Sequence, residues 1–312
     1  MKIIVTGATG FIGTRLVERL HNQGNQITVF ARDPQKAQRL FPSHLLPLVT
    51  VVGYDPIRES QTDAALWQEA LNGCDGVINL AGAPIAGERW TSQTRQRILA
   101  SRVVTTTALV AALGKLAIKP KAMISGSAIG YYGTDPSKIF EEYNFSGTDF
   151  PAQICQQWEA AAEPVTNMGI RLVKLRTGIV LGNGGALAKI LPIFQLGLGG
   201  ILGSGKQWFS WIHCDDLVNL IVTCLTDDRY RGPVNGTAPQ PVTNQEFTQA
   251  LAQVAGKLAI LPTPAAVLLL VFGESANLLL EGQQVIPRKA IANNFAFQYP
   301  DITGAVTQVI KQ

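Results

Sequence analysis

The stretch Lys2–Gly13, KIIVTGATGFIG, decides how the rest of the chain is read. Lys2–Thr6 is an apolar, β-branched run of the kind buried in a parallel sheet. Phe11–His21 follows with Ile12, Leu16 and Leu20 on one helical face, and Gly24 closes that helix. Between the two lie Gly7, Thr9, Gly10 and Gly13. Gly7 permits a tight turn, Gly10 lets backbone approach a pyrophosphate, and Gly13 lets helix pack close to strand. The helix N-terminus then presents open N–H groups to phosphates. A lone glycine pattern is an ordinary turn; set between a strand and a helix it points to a dinucleotide.

Working outward, Gln26–Ala31 reads as the second strand and ends in Arg32. An acid there would hold the ribose 2′-hydroxyl of NAD, whereas an arginine accepts the 2′-phosphate of NADP. Asp33-Pro34 reads as a helix cap with proline at the first helical position, and Lys36 adds charge one turn on. NADP(H) is therefore expected over NAD, although an exposed arginine also serves as plain solvated surface. Asp55-Pro56 is placed to line the adenine or simply to turn the chain. Asn79-Leu80-Ala81-Gly82 ends a strand with small residues at the carboxyl edge, where α/β ligands lie.

Further strands are expected at Pro47–Gly53, Gly76–Leu80, Lys121–Ser125 and Ile170–Leu175, and helices at Thr62–Leu71, Thr91–Leu113 and Pro151–Met168. This alternation predicts an α/β, Rossmann-like, doubly wound parallel sheet over residues 1–176, its sheet open to completion by later segments. A smaller α+β lobe for substrate or partner is expected over 177–312. Glycine-rich Gly182–Gly205 reads as a loop or lid, Asp215–Leu225 and Asn244–Ala255 as helices, and Pro233–Gly236 as a short strand.

Composition narrows the function. Hydrophobic residues make up 46% of the 312 and charged ones 15%, against roughly 25% in ordinary domains, so a full core is available. The net charge of +4 is spread without a basic run, which argues against a nucleic-acid groove or a polybasic membrane patch. Cys74, Cys155, Cys214 and Cys224 form no CxxC, and His21, His44 and His213 are scattered, so neither a metal site nor a disulfide scaffold is expected. No signal peptide and no transmembrane segment is expected, and a cytoplasmic location fits.

Taken together, these residues resemble the extended short-chain dehydrogenase/reductase superfamily, which includes sugar-nucleotide epimerases and dehydratases. TGATGFIG resembles its nucleotide loop and NLAG its fourth-strand motif. SGSAIGYYG (Ser125–Gly133) resembles the fifth-strand motif, which puts the active-site serine at Ser127. LRTGIVLG (Leu175–Gly182) is similar to the nicotinamide-side loop, and SWIHCDDLV (Ser210–Val218) to the segment opening the substrate lobe. The tail from LLLEGQQVIPRKAIANNFAFQYP resembles a terminal domain of one atypical, epimerase-like branch, some of whose photosynthetic members are labelled cell-division inhibitors. The resemblance implies that Phe11, Ile12, Leu80, Ala81, Gly82, Ser101, Arg102, Ser125, Gly126, Ser127, Arg176, Gly178, Ile179, Val180 and Leu181 join Gly7, Thr9, Gly10, Gly13, Arg32 and Asp55 around the cofactor.

One departure outweighs these matches. Catalysis in the superfamily resembles a relay in which a tyrosine exchanges a proton with substrate, its pKa lowered by a lysine four residues later. None of Tyr54, Tyr131, Tyr132, Tyr143, Tyr230 and Tyr299 is followed so by lysine. The family's helix puts Cys155 where the tyrosine belongs and Glu159 where the lysine belongs. Of the substitutes, Tyr131 and Tyr132 read as packed aromatics, Cys155 as a buried inert thiol, and Trp158-Glu159 as a packed indole beside an exposed carboxylate. His213, with Asp215 and Asp216 close by, reads as a hydrogen-bonded histidine beside an N-cap aspartate rather than as a triad member. Arg102 faces a phosphate unless, with Arg89, Arg95 and Arg97, it is simply part of a basic helix face. PTPAAVLLLVF (262–272) is expected to pack into the C-terminal lobe.

Two function classes remain. One is an NADP(H)-binding, epimerase-like regulator that engages a protein partner, for which the resemblance suggests the cell-division machinery. The other is an NADP-dependent sugar-nucleotide epimerase or reductase with an unconventional acid/base, acting on a small-molecule substrate.

Overall fold

The computed structural model describes residues 1–42, 45–58, 64–259 and 261–311. His44 and the expected helix start at Thr62 lie outside them. The chain runs β1 (Lys2–Thr6), α1 (Phe11–Asn22), β2 (Gln26–Ala31), α2 (Pro34–Leu40), β3 (Val49–Gly53), α3 (Ala64–Ala70) and β4 (Gly76–Asn79). It continues through α4 (Ser92–Lys115), β5 (Ala122–Ala128), β6 (Asp135–Phe140), α5 (Phe150–Ala162), β7 (Arg171–Thr177), β8 (Ile179–Leu181) and α6 (Gly185–Gln195). After these come β9 (Trp208–Phe209), β10 (Trp211–His213), α7 (Cys214–Thr226), β11 (Gly232–Gly236), β12 (Val242–Thr243) and α8 (Asn244–Val254). Last are α9 (Ala265–Phe272), α10 (Asn277–Leu280), β13 (Gln283–Val285), α11 (Arg288–Ala292) and α12 (Ile302–Lys311).

Local chemistry sets many of these boundaries. The Asp33 carboxylate accepts the Lys36 N–H at 2.9 Å and starts α2, with Pro34 in the first turn. Thr91 caps α4 and Asp149 caps α5 in the same way. The helix expected to reach Met168 stops at Ala162, because Pro164 lacks the N–H that α geometry needs and the chain tightens into 3-10 turns. β3 begins at Val49, two residues later than expected, after a 3-10 turn over Leu46–Leu48.

β11-β7-β5-β4-β1-β2-β3 form one sheet, and every pair in it is parallel. The chain winds outward from β1 through β2 and β3, then restarts at β4 on the other side. The switch between β1 and β4 opens a crevice at the carboxyl ends. One face is covered by α1 and α7, with Leu16, Leu20, Leu217 and Ile221 buried against Ile3 and Val5. The other face buries Trp67, Leu71, Leu109 and Leu113 from α3, its C-terminal turn and α4 against Ile4 and Val77. The architecture is an α/β, Rossmann-like fold.

Beyond β7, a further core gathers Leu181, Leu187, Phe194, Trp211, Phe247, Leu251, Val306 and Val309 from β8, α6, β10, α8 and α12. The glycine-rich segment expected to be a loop contains α6, whose Leu187 and Phe194 enter that core despite the flanking glycines. The apolar α9 departs from expectation: Leu268 is its one buried side chain, while Leu270 is 75% exposed. α4 is long and apolar enough, by length and composition alone, to cross a membrane, yet it buries Leu109, Val110 and Leu113 in the core.

The tightest joint is at the opening loop. A Cβ on residue 13 would stand 2.2 Å from the Gly7 carbonyl oxygen. At residue 7, where φ is +73°, a Cβ would stand 2.7 Å from the Leu80 carbonyl carbon. Gly13→Ala is expected to force α1 off β1 at a cost of about 1–3 kcal/mol. Urea denaturation measures this, and an unchanged midpoint would contradict the contact.

Candidate functional site

The crevice is built around the N-terminus of α1. Gly10 precedes that helix with no side-chain cap, and no acid sits in its first turn, so its open N–H groups suit an anion. Thr9 and Gly10 are exposed beside it and Ile12 is partly buried. Leu80 and Ala81 donate their N–H groups to the Thr6 carbonyl and hydroxyl, each at 3.2 Å, which fixes Leu80–Gly82 against the glycine loop. Behind them runs a buried polar chain. The Thr6 hydroxyl donates to Asn79 at 2.7 Å, and both Asn79 and the Trp158 indole donate to the Thr106 hydroxyl. The Phe11 ring packs against Gly182 and Gly184, so toward the crevice this residue offers backbone only.

At the end of β2, Arg32 is exposed and has no hydrogen-bond or ion-pair partner among the described residues. Its neighbour Asp33 is engaged as the α2 cap. The site thus presents a free cation and no free carboxylate at the position that discriminates the two dinucleotides. Asp55 is partly buried and opens a turn, its carbonyl accepting the Arg58 N–H at 3.0 Å.

The corner where a tyrosine–lysine relay would stand holds something different. The Ser127 hydroxyl donates to Glu159 Oε1 at 2.8 Å. Arg176 grips the same carboxylate with both arms, Nε to Oε1 at 2.8 Å and Nη2 to Oε2 at 2.9 Å. Its remaining nitrogen donates to the Tyr132 hydroxyl and the Glu142 carbonyl, both at 3.1 Å, and its Cζ lies 3.4 Å from the Tyr131 ring centre. One expectation is corrected here. Glu159 is not an exposed carboxylate but 5% exposed, because α5 lays it over β5 and β7, where Ser127 and Arg176 are register partners. Arg176, expected beside the cofactor, pairs with Glu159, since a buried carboxylate needs a fixed counter-charge.

Cys155 is buried, with its thiol toward the Ala128 carbonyl at 3.6 Å and its pKa pushed up by burial to about 11. Tyr132 is also buried, donates to Asn235 Oδ1 at 2.6 Å, and is pushed up by burial to about 12 in spite of Arg176. Neither group releases a proton readily near neutrality.

Other expected site residues fall around this corner. The Ser101 hydroxyl accepts the Ala83 N–H at 2.9 Å and donates to the Ile98 carbonyl, tying α4 to the loop after β4. Arg102 lies over the Trp158 ring and against Gly82. The Ser125 hydroxyl is fully buried without a hydrogen-bond partner among the described residues. Gly126 lies against the Trp158 indole. Gly178 and Ile179 are held by the Gly236 and Ser210 carbonyls, leaving Ile179 and Val180 partly exposed and Leu181 buried.

His213 is itself the cap of α7, its Nδ1 accepting the Asp215 N–H at 3.2 Å, whereas the aspartate was expected in that role. Its Nε2 meets Gln308 at 2.7 Å, and burial lowers its pKa. Asp215 pairs with Arg15 at 2.8 Å, and Asp216 accepts the Gln298 and Tyr299 N–H groups. A cavity of about 500 Å³ opens beside these residues, lined also by Phe11, Arg15, Phe41 and Gly182. Among the described residues, the imidazole meets Gln308 and the Asp215 N–H and no nucleophile.

Glu159→Gln tests the buried pair. It leaves the Arg176 guanidinium without its counter-charge, and a loss of about 3–5 kcal/mol in unfolding free energy is expected. Guanidinium denaturation measures it, and a loss below about 1 kcal/mol would mean that solvent already screens the pair.

With this geometry in hand, comparison with known proteins is direct. The NAD dependent epimerase/dehydratase family matches residues 3–235, and a domain of unknown function, DUF1731, matches residues 263–309. The chloroplastic epimerase family protein SDR39U1 homolog of Arabidopsis thaliana is 40% identical, over 100% of this chain and 87% of its own. The epimerase family protein YfhF of Bacillus subtilis is 35% identical, over 99% of this chain and 98% of its own. The crystal structure of human epimerase family protein SDR39U1 (isoform 2) with NADPH superimposes with a TM-score of 0.87 at 34% identity, covering 100% of both chains. MoeE5 in complex with UDP-glucose and NAD shares the fold, with a TM-score of 0.78 at 19% identity. From its glycine loop to β11, this chain belongs to the NAD dependent epimerase/dehydratase family.

Proposed function

We propose that the protein binds NADPH in the crevice between β1 and β4 and acts as a cofactor-responsive regulator rather than as a sugar-nucleotide epimerase. The observation that carries this reading is the Ser127–Glu159–Arg176 cluster. A carboxylate locked to a guanidinium stands where the family's relay needs a lysine beside a tyrosine.

Gly7, Gly10 and Gly13 admit the pyrophosphate to the N-terminus of α1, and Arg32 takes the 2′-phosphate. Leu80–Gly82 and Gly178–Leu181 flank the ribose and nicotinamide. The NADPH in the human relative's structure supports this assignment. Bound NADPH supplies a hydride donor. The residues described here supply binding and orientation but no readily released proton, since Cys155 and Tyr132 are both raised by burial. Binding alone shifts a conformational equilibrium whenever two states differ in affinity. Residues 278–300 resemble the branch labelled cell-division inhibitor, and that resemblance alone suggests the division machinery as partner. Four free, buried cysteines fit a reducing, cytoplasmic setting. A second reading, an NADPH-dependent reductase, is favoured by the Ser127 hydroxyl at the cofactor side of β5.

NADPH is expected to bind more tightly than NADH in calorimetry, and Arg32→Ala to weaken NADPH by about tenfold or more while sparing NADH. Equal losses for both would move the pocket. A panel of UDP-sugars is expected to show no epimerisation by the purified protein. Turnover abolished by Ser127→Ala would replace the regulator with an enzyme.

A further inference from the structure

Of three buried or half-buried arginines packed about the sheet, the two on β7 are saturated. Arg171 donates to Asp228 and to the Cys224, Leu225 and Tyr230 carbonyls. Arg176 is filled by Glu159, Tyr132 and the Glu142 carbonyl. Arg102 differs. Only its Nη1 is engaged, with the Ile98 carbonyl at 3.0 Å and the Ser101 hydroxyl at 3.5 Å. Its Nε and Nη2 have no partner among the described residues, and no carboxylate pairs with it. The neighbouring arginines of α4 are answered: Arg95 pairs with Glu274 and Arg97 with Glu88.

The guanidinium is also held in place. Its Cζ lies 5.1 Å from the Trp158 ring centre. A Cβ on Gly82 would fall 2.9 Å from Cζ but 3.1 and 3.2 Å from Nη2 and Nε. The central carbon is the nearest atom, with Nη2 and Nε next, so the glycine lies against the flat face of the guanidinium on its Nε/Nη2 side. Burial lowers the pKa of Arg102, opposed by the Cys155 thiol but by no carboxylate. A desolvated cation without a counter-charge is costly. Its free edge has the fork geometry that takes two oxygens of one oxyanion.

We propose that the Nε/Nη2 edge of Arg102 binds the carboxylate or phosphate of a second, small anionic ligand seated beside the cofactor between Gly82 and Cys155. The ligand lies where the family's tyrosine would reach substrate, so the protein reads NADPH together with a small anion. This assignment rests on the cofactor occupying the crevice, and the test separates the two claims.

The test titrates the NADPH-saturated protein with inorganic phosphate and with malonate by calorimetry, after NADPH binding has been measured alone. At least one oxyanion is expected to bind, with affinity lost about tenfold or more in Arg102→Met and partly kept in Arg102→Lys, which retains the charge but not the fork. Thermal melting of both variants checks folding, and the lysine variant keeps the test valid if the methionine variant unfolds. Three results overturn the proposal. Neither oxyanion binds a protein that does bind NADPH; the variants bind the anion as the parent does; or Arg102→Met loses NADPH affinity instead, which assigns the fork to the cofactor's own phosphates. Absence of NADPH binding to the parent protein would instead overturn the cofactor reading itself.

Discussion

The approach of α1 to β1 is the constraint on which the crevice depends. With hydrogen atoms alone at residues 7 and 13, the helix axis points into the gap between β1 and β4. The open N–H groups of the helix then face the place where the sheet changes direction. The Leu80–Ala81 hydrogen bonds to Thr6 close the other wall against the same glycine loop. Every later assignment, from Arg32 to Ser127, takes its meaning from that geometry.

The second constraint is electrostatic. Exchanging a lysine for Glu159 on α5 reverses the sign of a buried charge. The fold answers with Arg176 from β7, which is register partner to Ser127. The family's corner uses a cation to make a tyrosine acidic; here the cation neutralises a carboxylate and the nearest acids are made weaker by burial. The same exchange leaves Arg102, reaching in from α4, as the one cation in that corner whose fork is open among the described residues. Loss of the relay and the proposed anion subsite both fit the proposed regulator.

How much of this was legible depended on range. The strand, glycine loop and helix of residues 2–22, the Asp33 cap and the free Arg32 are set by neighbours within a few positions, and the sequence pattern carried them. The absence of the tyrosine–lysine pair was equally local. The burial of Glu159 against Arg176 is not legible, because their meeting depends on β5–β7 register and on where α5 crosses, which no local pattern encodes. α6 was hidden because glycines at both ends outweighed the apolar periodicity of Leu187 and Phe194. α9 was expected to be buried, yet an apolar run reports the composition of a segment, not what stands opposite it. Two signals went unused: Ser127 and Arg176 sit at matching depths in adjacent parallel strands, and Trp158 falls one turn beyond Cys155.

A crystal structure of the protein grown with NADPH tests the central claim most directly. The account predicts density for the pyrophosphate on the first turn of α1, the 2′-phosphate at Arg32, and the nicotinamide beside Val180, with the Glu159–Arg176 pair intact. An empty crevice, or a cofactor lying elsewhere with Arg176 turned toward it, would contradict the account.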